Sequence, residues 1–260
     1  MFYSILLDIW REICYPDRQT IGRADMQTFF KRYEEKYFIT QEQTAMLEAL
    51  FQEHMDRDKF DVYWVQNLYF DTENWDVIRT SIEKPFFKEK MRLRCYGVPT
   101  DTQDVFLELK KKYDGIVYKR RIFLPVASLS HLEEALVEES SQIAQELLFY
   151  LRSTGVEPKM FVAYQRQAFV GKESRDLRIT LDGDIHYRLD QLDFFNPEEG
   201  IPLPMDGCHV MEVKTPTAFP LWLVEALSKH KIFGSSFSKF GSCFIDYVHG
   251  AKRKAAVSYD

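Results

Sequence analysis

The stretch 91–121 constrains the fold most, because its side chains alternate between apolar and cationic. With the two-residue period of a β-strand, "MRLRCYG" sends Met91, Leu93 and Cys95 to one face and its two arginines to the other. The segment "VFLELKKK" repeats this alternation, and "GIVYKRRIFL" follows a turn-forming Asp-Gly pair at 114–115. The sequence therefore predicts three strands, the last two joined as a hairpin, with one apolar face and one basic face.

Pairing these strands gathers basic side chains over one patch of sheet, namely Arg92, Arg94, Lys110 and either Lys119 or Arg121. Like charges opposite each other destabilise a sheet, so the patch requires carboxylates or an anionic ligand as counter-charge. Residues 88–121 contain ten Lys or Arg and five Asp or Glu, a net charge of +5 in a chain of net charge −6, which leaves −11 elsewhere. This concentration indicates a focused polyanion site and argues against a broad nucleic-acid-binding surface. An ordinary solvated sheet face is the structural alternative.

The global properties of the chain set the class of protein. At 260 residues, with a hydrophobic fraction of 45%, the chain is long enough for one large domain or two small ones. The cysteines at 14, 95, 208 and 243 lie far apart without metal-binding spacing, so free thiols in a reducing compartment are expected. No apolar run approaches about 18 residues, and the first residues include acids and no basic leader. A cytoplasmic location without export or membrane spanning is the resulting expectation.

Three helices are predicted from capping residues and apolar stripes. A capping box of Thr40 and Gln43 begins a helix that reaches about residue 58. Ser130 and Glu133 cap a long helix that reaches about residue 153. A third helix follows Pro220 and closes at residue 234.

Strand patterns fill most of the remaining chain, and the Asp-Gly pair at 182–183 is typical of a tight turn within them. No repeat or interior linker divides the chain, so one domain at 29–248 is expected. Residues 1–28 are interpreted as an N-terminal extension or docking segment, and 249–260 as a basic tail. The predicted class is α+β, with about eight strands in a closed antiparallel barrel around a basic tunnel and helices packed outside. An open sheet with its cationic face in solvent is the alternative.

Nine short motifs occur in the order seen in a known family. They are "RYEEKYFIT", "NLYFDT", "MRLRCYG", "VFLELKKK", "YKRR", "AYQRQAF", "LRITLD", "MEVK" and "SFSKF", and they span about 30–240. The chain thereby resembles the polyphosphate-polymerase (VTC) domain of the triphosphate tunnel metalloenzyme superfamily. The resemblance implies a tunnel enzyme that transfers the γ-phosphoryl group of ATP to a growing polyphosphate chain with Mn²⁺ or Mg²⁺.

The resemblance also implies roles for individual residues. The phosphate-binding and catalytic positions fall on Lys36, Arg92, Arg94, Lys110, Lys119, Arg166, Arg178 and Lys239, and the metal-binding glutamate falls on Glu212. A cofactor-binding role is assigned to Arg94, Lys110, Arg178 and Lys214. Glu108 is the second candidate metal ligand, because hard divalent cations bind one or two carboxylates and take their remaining ligands from phosphate oxygens and water.

Two positions depart from the family pattern. The related hydrolases have a Glu-x-Glu-x-Lys strand, whereas this chain has Arg32, Glu34 and Lys36. Ser236 also replaces the first of two lysines in the closing motif, which leaves Lys239. A triphosphatase is therefore retained as an alternative, as is a non-catalytic polyphosphate or nucleotide sensor. ATP and polyphosphate are the expected partners, nucleic acid is not, and docking to a separate membrane protein is left open.

Overall fold

The computed structural model describes residues 33–100, 104–114 and 116–257, which form an α+β fold. Its ten strands are β1 (Tyr33–Ile39), β2 (Met55–Arg57), β3 (Tyr63–Asp71), β4 (Phe87–Tyr96), β5 (Asp104–Tyr113), β6 (Ile116–Pro125), β7 (Glu157–Gly171), β8 (Arg178–Arg188), β9 (Ile201–Pro202) and β10 (His209–Thr215). Its α-helices are α1 (Gln41–His54), α2 (Asp76–Ile82), α3 (Leu132–Glu139), α4 (Gln142–Thr154), α5 (Leu221–Lys229) and α6 (Lys239–Val257). A 3₁₀ helix, Val126–His131, precedes α3.

All strands belong to one antiparallel sheet that curls upon itself. The order along the sheet is β1-β10-β8-β7-β3-β4-β5-β6, while β2 pairs with β7 and β9 with β8. β1 and β6 end this path, and the described residues contain no pairing between them. The predicted α+β class and antiparallel sheet are confirmed, and the described strands form a curled sheet whose closure is not seen.

The sheet buries apolar side chains on both faces. On the outer face, one core lies under α3 and α4 and includes Leu93, Leu107 and Leu147, and another lies under α1 and α5. A third core lies on the inner face, where Phe240 and Phe244 of α6 pack with side chains of β3, β7, β8 and β10. The expectation that helices pack outside therefore fails for α6, because its apolar side fills one end of the space inside the curl.

The predicted hairpin and the first capping box are present. Tyr113 of β5 lies opposite Ile116 of β6, so residues 114 and 115 form the connection, of which 115 lies outside the described residues. Thr40 accepts a hydrogen bond from the Gln43 amide, and the Gln43 side chain accepts one from Thr40. α1 ends at residue 54, earlier than predicted, because 55–57 pair with β7 as β2.

The predicted helix from 130 to 153 is wrong, since two helices occupy this stretch. Ser140 adopts a left-handed conformation (φ 50°) that ends α3, and the Ser141 hydroxyl accepts a hydrogen bond from the Ala144 amide to begin α4. The Ser130 hydroxyl, assigned as the cap, donates instead to the carbonyl of Ala127. The N-cap at Ser141 therefore divides the stretch into two helices, although its apolar residues keep a helical period throughout.

The predicted turn at 182–183 is also wrong, because both residues lie within β8. Gly183 lies against the His209 ring, which comes within 2.5 Å of the position where a Cβ would stand. The glycine therefore reflects close packing inside the sheet. α5 ends at residue 229, and Gly234 forms an antiparallel bridge with Tyr37 instead of closing the helix.

The described part of the chain contains no helix of the length and apolarity that crossing a membrane requires. Cys95, Cys208 and Cys243 are free thiols, as predicted, and Cys14 lies outside the described residues. The proposed extension at 1–28 lies outside them as well. Residues 249–257, predicted as part of a basic tail, continue α6.

Candidate functional site: a basic inner face

The inner face of the sheet gathers the predicted site residues. Alternation along each strand and the cross-strand register place the following on this face: Lys36, Arg92, Arg94, Lys110, Lys119, Arg166, Arg178, Lys214, Glu108 and Glu212. Lys239, at the start of α6, reaches the same space. Charged groups on β1 and β5, which lie at or next to opposite ends of the strand order, interact electrostatically. Burial lowers the pKa of Lys110 on β5, and Glu34 on β1 opposes that shift.

Glu108 is a buried carboxylate surrounded by cations. Arg92 contacts its Oε2 with Nε at 2.9 Å and Nη2 at 2.8 Å, Lys119 contacts Oε1, and Arg121 lies 3.6 Å from Oε1. Although burial opposes it, Arg92, Arg94 and Lys119 hold the pKa of Glu108 below its usual range. The structure thus places this candidate metal ligand as the counter-charge that holds three basic side chains in position.

A second buried carboxylate, Asp182, orients two more cations. Arg166 donates two hydrogen bonds to it, Nε to Oδ1 at 2.6 Å and Nη2 to Oδ2 at 2.8 Å, and Lys239 donates to Oδ2 at 2.6 Å. The Lys239 ammonium also lies 4.4 Å from the centre of the Tyr164 ring. Burial opposes ionisation, but Arg166 and Lys239 hold the pKa of Asp182 below its ordinary value. The sequence does not predict that Asp182 orients these cations, because an Asp-Gly pair is typical of a turn.

Glu212 belongs to a square of alternating charges on β1 and β10. Lys36 lies opposite Glu212 and Glu34 opposite Lys214. Lys214 contacts Glu212 Oε1, the Lys36 ammonium lies 3.9 Å from Glu212 Oε2, and both lysines are within 4.0 Å of Glu34. Against the effect of burial, Lys214 and Lys36 lower the pKa of Glu212 below its usual range, which keeps this buried group ionised.

The carboxylates of the inner face are the groups that could hold a metal ion. The described residues contain no cluster of three His, Cys, Asp or Glu suited to a metal. Glu212 and Glu34 nevertheless share two lysine partners on the same sheet face, and two carboxylates suffice for Mg²⁺ or Mn²⁺ when phosphates complete the shell. The residues therefore fit a metal held jointly with a phosphorylated substrate. Glu34 is a nearer companion for Glu212 than Glu108, whose oxygens already contact Arg92, Lys119 and Arg121.

Arg94 differs from the arginines above because no carboxylate pairs with it among the described residues. It is buried, and Nε donates to the Asn67 side-chain oxygen at 2.9 Å while Nη2 lies 3.4 Å from the Tyr164 hydroxyl. Neutral neighbours thus hold the guanidinium in place without neutralising it. A buried cation without a carboxylate in ion-pair contact is prepared to receive an anionic ligand.

Lysines continue the basic surface along β4, β5 and β6. Lys88 lies opposite Lys112, Lys90 opposite Lys110, and Lys110 opposite Lys119. We call Lys88, Lys90, Lys110 and Lys112 the lysine ladder; within the described residues none of the four has a carboxylate in ion-pair distance. Burial and the neighbouring Lys88 and Lys110 lower the pKa of Lys90 to about 7. Like charges facing each other destabilise a sheet, so this arrangement calls for an anion.

A strap, residues 234–238, connects β1 with the lysine ladder. The Ser235 amide donates to the Lys36 carbonyl at 2.7 Å, and the Lys36 ammonium donates to the Phe237 carbonyl at 3.2 Å. The hydroxyls of Ser236 and Ser238 accept hydrogen bonds from the ammonium groups of Lys84 and Lys90, each at 3.2 Å. Ser236, noted as a departure from the family pattern, is therefore next to a cation supplied by the loop before β4.

Arg178 lies at the margin of the site. Its Cα pairs with that of Lys214, and its side chain is exposed and makes no hydrogen bond or ion pair with another described residue. Lys90, Asp182 and the contacts of Glu34 were not predicted as parts of the site. Lys90 continues the two-residue period of Arg92 and Arg94, and that signal would have found it.

A family model described as the VTC domain matches residues 31–245. The chain therefore belongs to the VTC domain family, as its motifs predicted. No curated protein matches the sequence significantly.

Structural comparison finds similarity to proteins from an archaeon and a bacterium. The PH1819 protein of Pyrococcus horikoshii OT3 is 13% identical, with a TM-score of 0.44 over 84% of this chain and 99% of that chain. A candidate adenylate cyclase from Vibrio parahaemolyticus is 14% identical, with a TM-score of 0.44 over 82% of this chain and 97% of that chain.

Proposed function

We propose that this protein is a metal-dependent polyphosphate polymerase, which transfers the γ-phosphoryl group of ATP to a growing polyphosphate chain on the basic inner face. Membership of the VTC domain family supports a role in phosphoryl transfer. In this proposal the curled sheet encloses its substrate as a tunnel, with β1 and β6 at its two edges and the strap across the lysine ladder.

The observation that carries the proposal is the length of the basic surface. Inward-facing cations continue without a break from Arg94 through Arg92 and Lys90 to Lys88 on a single strand. Six residues of antiparallel strand span about 20 Å. A nucleotide triphosphate, with only two phosphorus–phosphorus links, covers a fraction of this length, whereas a polyphosphate chain matches it at any length. A dedicated triphosphatase needs no such extension.

The proposed reaction needs no protein nucleophile. A terminal oxygen of the polyphosphate attacks the γ-phosphorus, the bond from that phosphorus to the β–γ bridging oxygen breaks, and ADP leaves with the electron pair. The chain grows by one phosphate. Positioning and charge stabilisation are sufficient for this chemistry. Arg94 and Arg166 hold equatorial phosphate oxygens in forked hydrogen bonds, and their buried partners Asn67 and Asp182 keep them oriented.

A divalent cation, when bound, supplies neutralisation of the charge on the bridging and terminal phosphate oxygens. Glu212 and Glu34 are the residues proposed to hold it, in place of some of their present lysine contacts. Lys36 and Lys214 then become available to phosphate oxygens of the substrate. The two glutamates and two lysines of this square would thus exchange their mutual ion pairs for contacts with the metal and the phosphates.

The test is to incubate the protein with ATP and Mn²⁺ and to measure ADP, free phosphate and long-chain polyphosphate in the same sample. ADP together with polyphosphate, and little free phosphate, is the expected result. ADP with stoichiometric phosphate identifies a triphosphatase, and unchanged ATP despite tight binding identifies a sensor. Either result overturns the polymerase proposal. The variant Arg120→Ala, altered in an exposed residue that pairs with Glu146 on the outer face, is the matched control.

A further inference from the structure

An exposed apolar patch lies at the end of the sheet formed by the tip of the β5–β6 hairpin and the start of β4. Phe86, Tyr113 and Ile116 are 78%, 58% and 54% exposed, and Phe87 and Tyr118 are also exposed. Phe87 lies opposite Tyr113, which lies opposite Ile116, so these side chains are neighbours on the outer face. The Asp114 amide donates to the Phe86 carbonyl at 3.0 Å, which fixes Phe86 beside the turn. We call these five residues the tip patch.

The tip patch is apolar surface that neither outer core covers. α3 and α4 cover the same face further along the strands, where Leu107 and Leu109 are buried. Scattered exposed apolar residues are normal, but a cluster of four aromatic rings and an isoleucine around one turn marks an interaction site. Phenylalanine and tyrosine side chains are suited to the boundary between water and lipid, where an apolar ring and a polar edge are both accommodated.

The charges around the tip patch select its partner. Residues 82–90 and 110–119 contain seven lysines against three acids, a net charge of 7 − 3 = +4 in a chain of net charge −6. A second copy of this chain would bring two such lysine-rich tips together and would be repelled. An anionic lipid surface instead complements the charge and takes up the rings at the same time. We propose that the tip patch docks the protein on anionic membranes, with Phe86 and Tyr113 inserted at the level of the lipid headgroups.

Lys111 completes the outer side of this surface. It faces outward beside Tyr118, with its ammonium 3.0 Å from Glu89, whereas the lysine ladder faces inward. The rings of the tip patch and Lys111 are therefore distinct from the inward-facing lysine ladder, whose positive charge adds to the field at this end of the sheet. Docking in this orientation leaves the inner face to its own ligand, so the two functions can be tested separately.

The experiment measures flotation of the full chain with vesicles of phosphatidylcholine alone and of phosphatidylcholine mixed with phosphatidylserine. Binding is expected only to the mixed vesicles and should weaken with salt. The double variant Phe86→Ser/Tyr113→Ser should lose about tenfold or more in partitioning, and Lys111→Gln about fivefold. Phe149→Ser is the control, because Phe149 is 74% exposed on α4 outside the patch and its loss should leave binding unchanged.

Three results overturn the proposal. The first is absence of binding to phosphatidylserine vesicles at low salt by a wild-type chain with a normal melting transition. The second is an equal loss of binding in the Phe149 control. The third is a wild-type dimer in sedimentation that the double variant converts to monomer, which assigns the tip patch to self-association. None of these readouts depends on polyphosphate synthesis.

Discussion

The basic residues of the inner face differ in whether a carboxylate already forms an ion pair with them. Arg166 is held by Asp182 in a two-point contact, whereas Arg94 is held by an amide and tyrosine hydroxyls. The first arrangement stabilises the folded protein, because removing one partner leaves a buried charge uncompensated. The second retains a net positive charge for a ligand. Arg166 is thus oriented by a carboxylate, whereas Arg94 keeps more uncompensated positive charge for a ligand.

We predict that Arg94→Ala weakens metal-free triphosphate binding about 10- to 100-fold, since it removes charge-assisted hydrogen bonds from a buried site. Arg178→Ala should weaken binding by a smaller factor, because this side chain is exposed. Calorimetric titration measures both. If ATP affinity is unchanged in both variants, the ligand site lies elsewhere.

Glu212→Gln is expected to separate binding from turnover. A similar shape remains and a negative charge leaves a basic site, so metal-free triphosphate binding should persist or strengthen. Mn²⁺-dependent turnover should fall steeply, because a carboxylate ligand for the metal is lost. Melting temperature, affinity and turnover are to be measured on one preparation. A destabilised variant with full specific activity would show that Glu212 acts only as the ion-pair partner of Lys36 and Lys214.

Lys90 should make polyanion binding depend on pH. Its pKa, lowered to about 7 by burial and by neighbouring cations, must rise again when an anion binds, so binding takes up a proton above pH 7. Affinity is therefore expected to decrease as pH rises above about 7 and to level off below it. The affinity of the wild type should fall by up to about tenfold per pH unit in this range. Lys90→Arg stays charged, so its affinity should change much less with pH. Titrations with long-chain polyphosphate between about pH 8 and about pH 9.5 test this, and an unchanged slope in the variant contradicts it.

At the scale of elements, short backbone and capping features decide where the helices begin and end. Ser130 and Ser141 have similar sequence contexts, but only the Ser141 hydroxyl accepts a hydrogen bond from a helix amide. The left-handed Ser140 ends α3, α4 begins two residues later, and side chains of both helices belong to the outer core. The break between α3 and α4 therefore lies in the helical layer that packs on the strands carrying the site.

The two serines provide a matched pair for a stability test. Ser141→Ala should lower the free energy of unfolding by about 1 kcal/mol, because an N-cap is lost. Ser130→Ala should change it by less than about 0.5 kcal/mol, since this hydroxyl caps no α-helix. Chemical denaturation of both variants measures the difference. Equal losses would favour a single helix that begins at Ser130.

At the scale of the whole molecule, an acidic protein keeps its positive charge inside the curl of one sheet. Three buried carboxylates, Glu108, Asp182 and Glu212, hold seven of the cations, while Arg94 and the lysine ladder have no carboxylate partner among the described residues. The apolar side of α6 packs inside the curl, where the Phe240 ring lies 5.8 Å from the Lys90 ammonium.

This geometry predicts an affinity that increases with chain length. Polyphosphates longer than a triphosphate should bind more tightly and with a steeper dependence on salt, because they contact the lysine ladder as well as Arg94. The double variant Lys88→Gln/Lys112→Gln should remove that advantage and change triphosphate affinity little. Titration with polyphosphates of defined length is the measurement. An advantage that survives in the variant would place the extended chain on another surface.

The sequence by itself determined the two faces of the strands, the hairpin and the family, because alternation and turn chemistry are local and the nine motifs lie in one order. It also identified the cations of the inner face, since a two-residue period fixes which side chains share a face. These properties do not depend on where distant segments meet.

Only the tertiary structure decided which carboxylate holds which cation. Asp182 meets Lys239 across 57 residues, and Lys36 meets the strap across 201. Cross-strand register made Glu34 the neighbour of Lys214, and packing against His209 placed Gly183 inside a strand where its local sequence favours a turn. Burial by α6 likewise came from the end of the chain. Such contacts depend on the sum of long-range packing energies, which exceeds the small local preferences from which the sequence prediction was made.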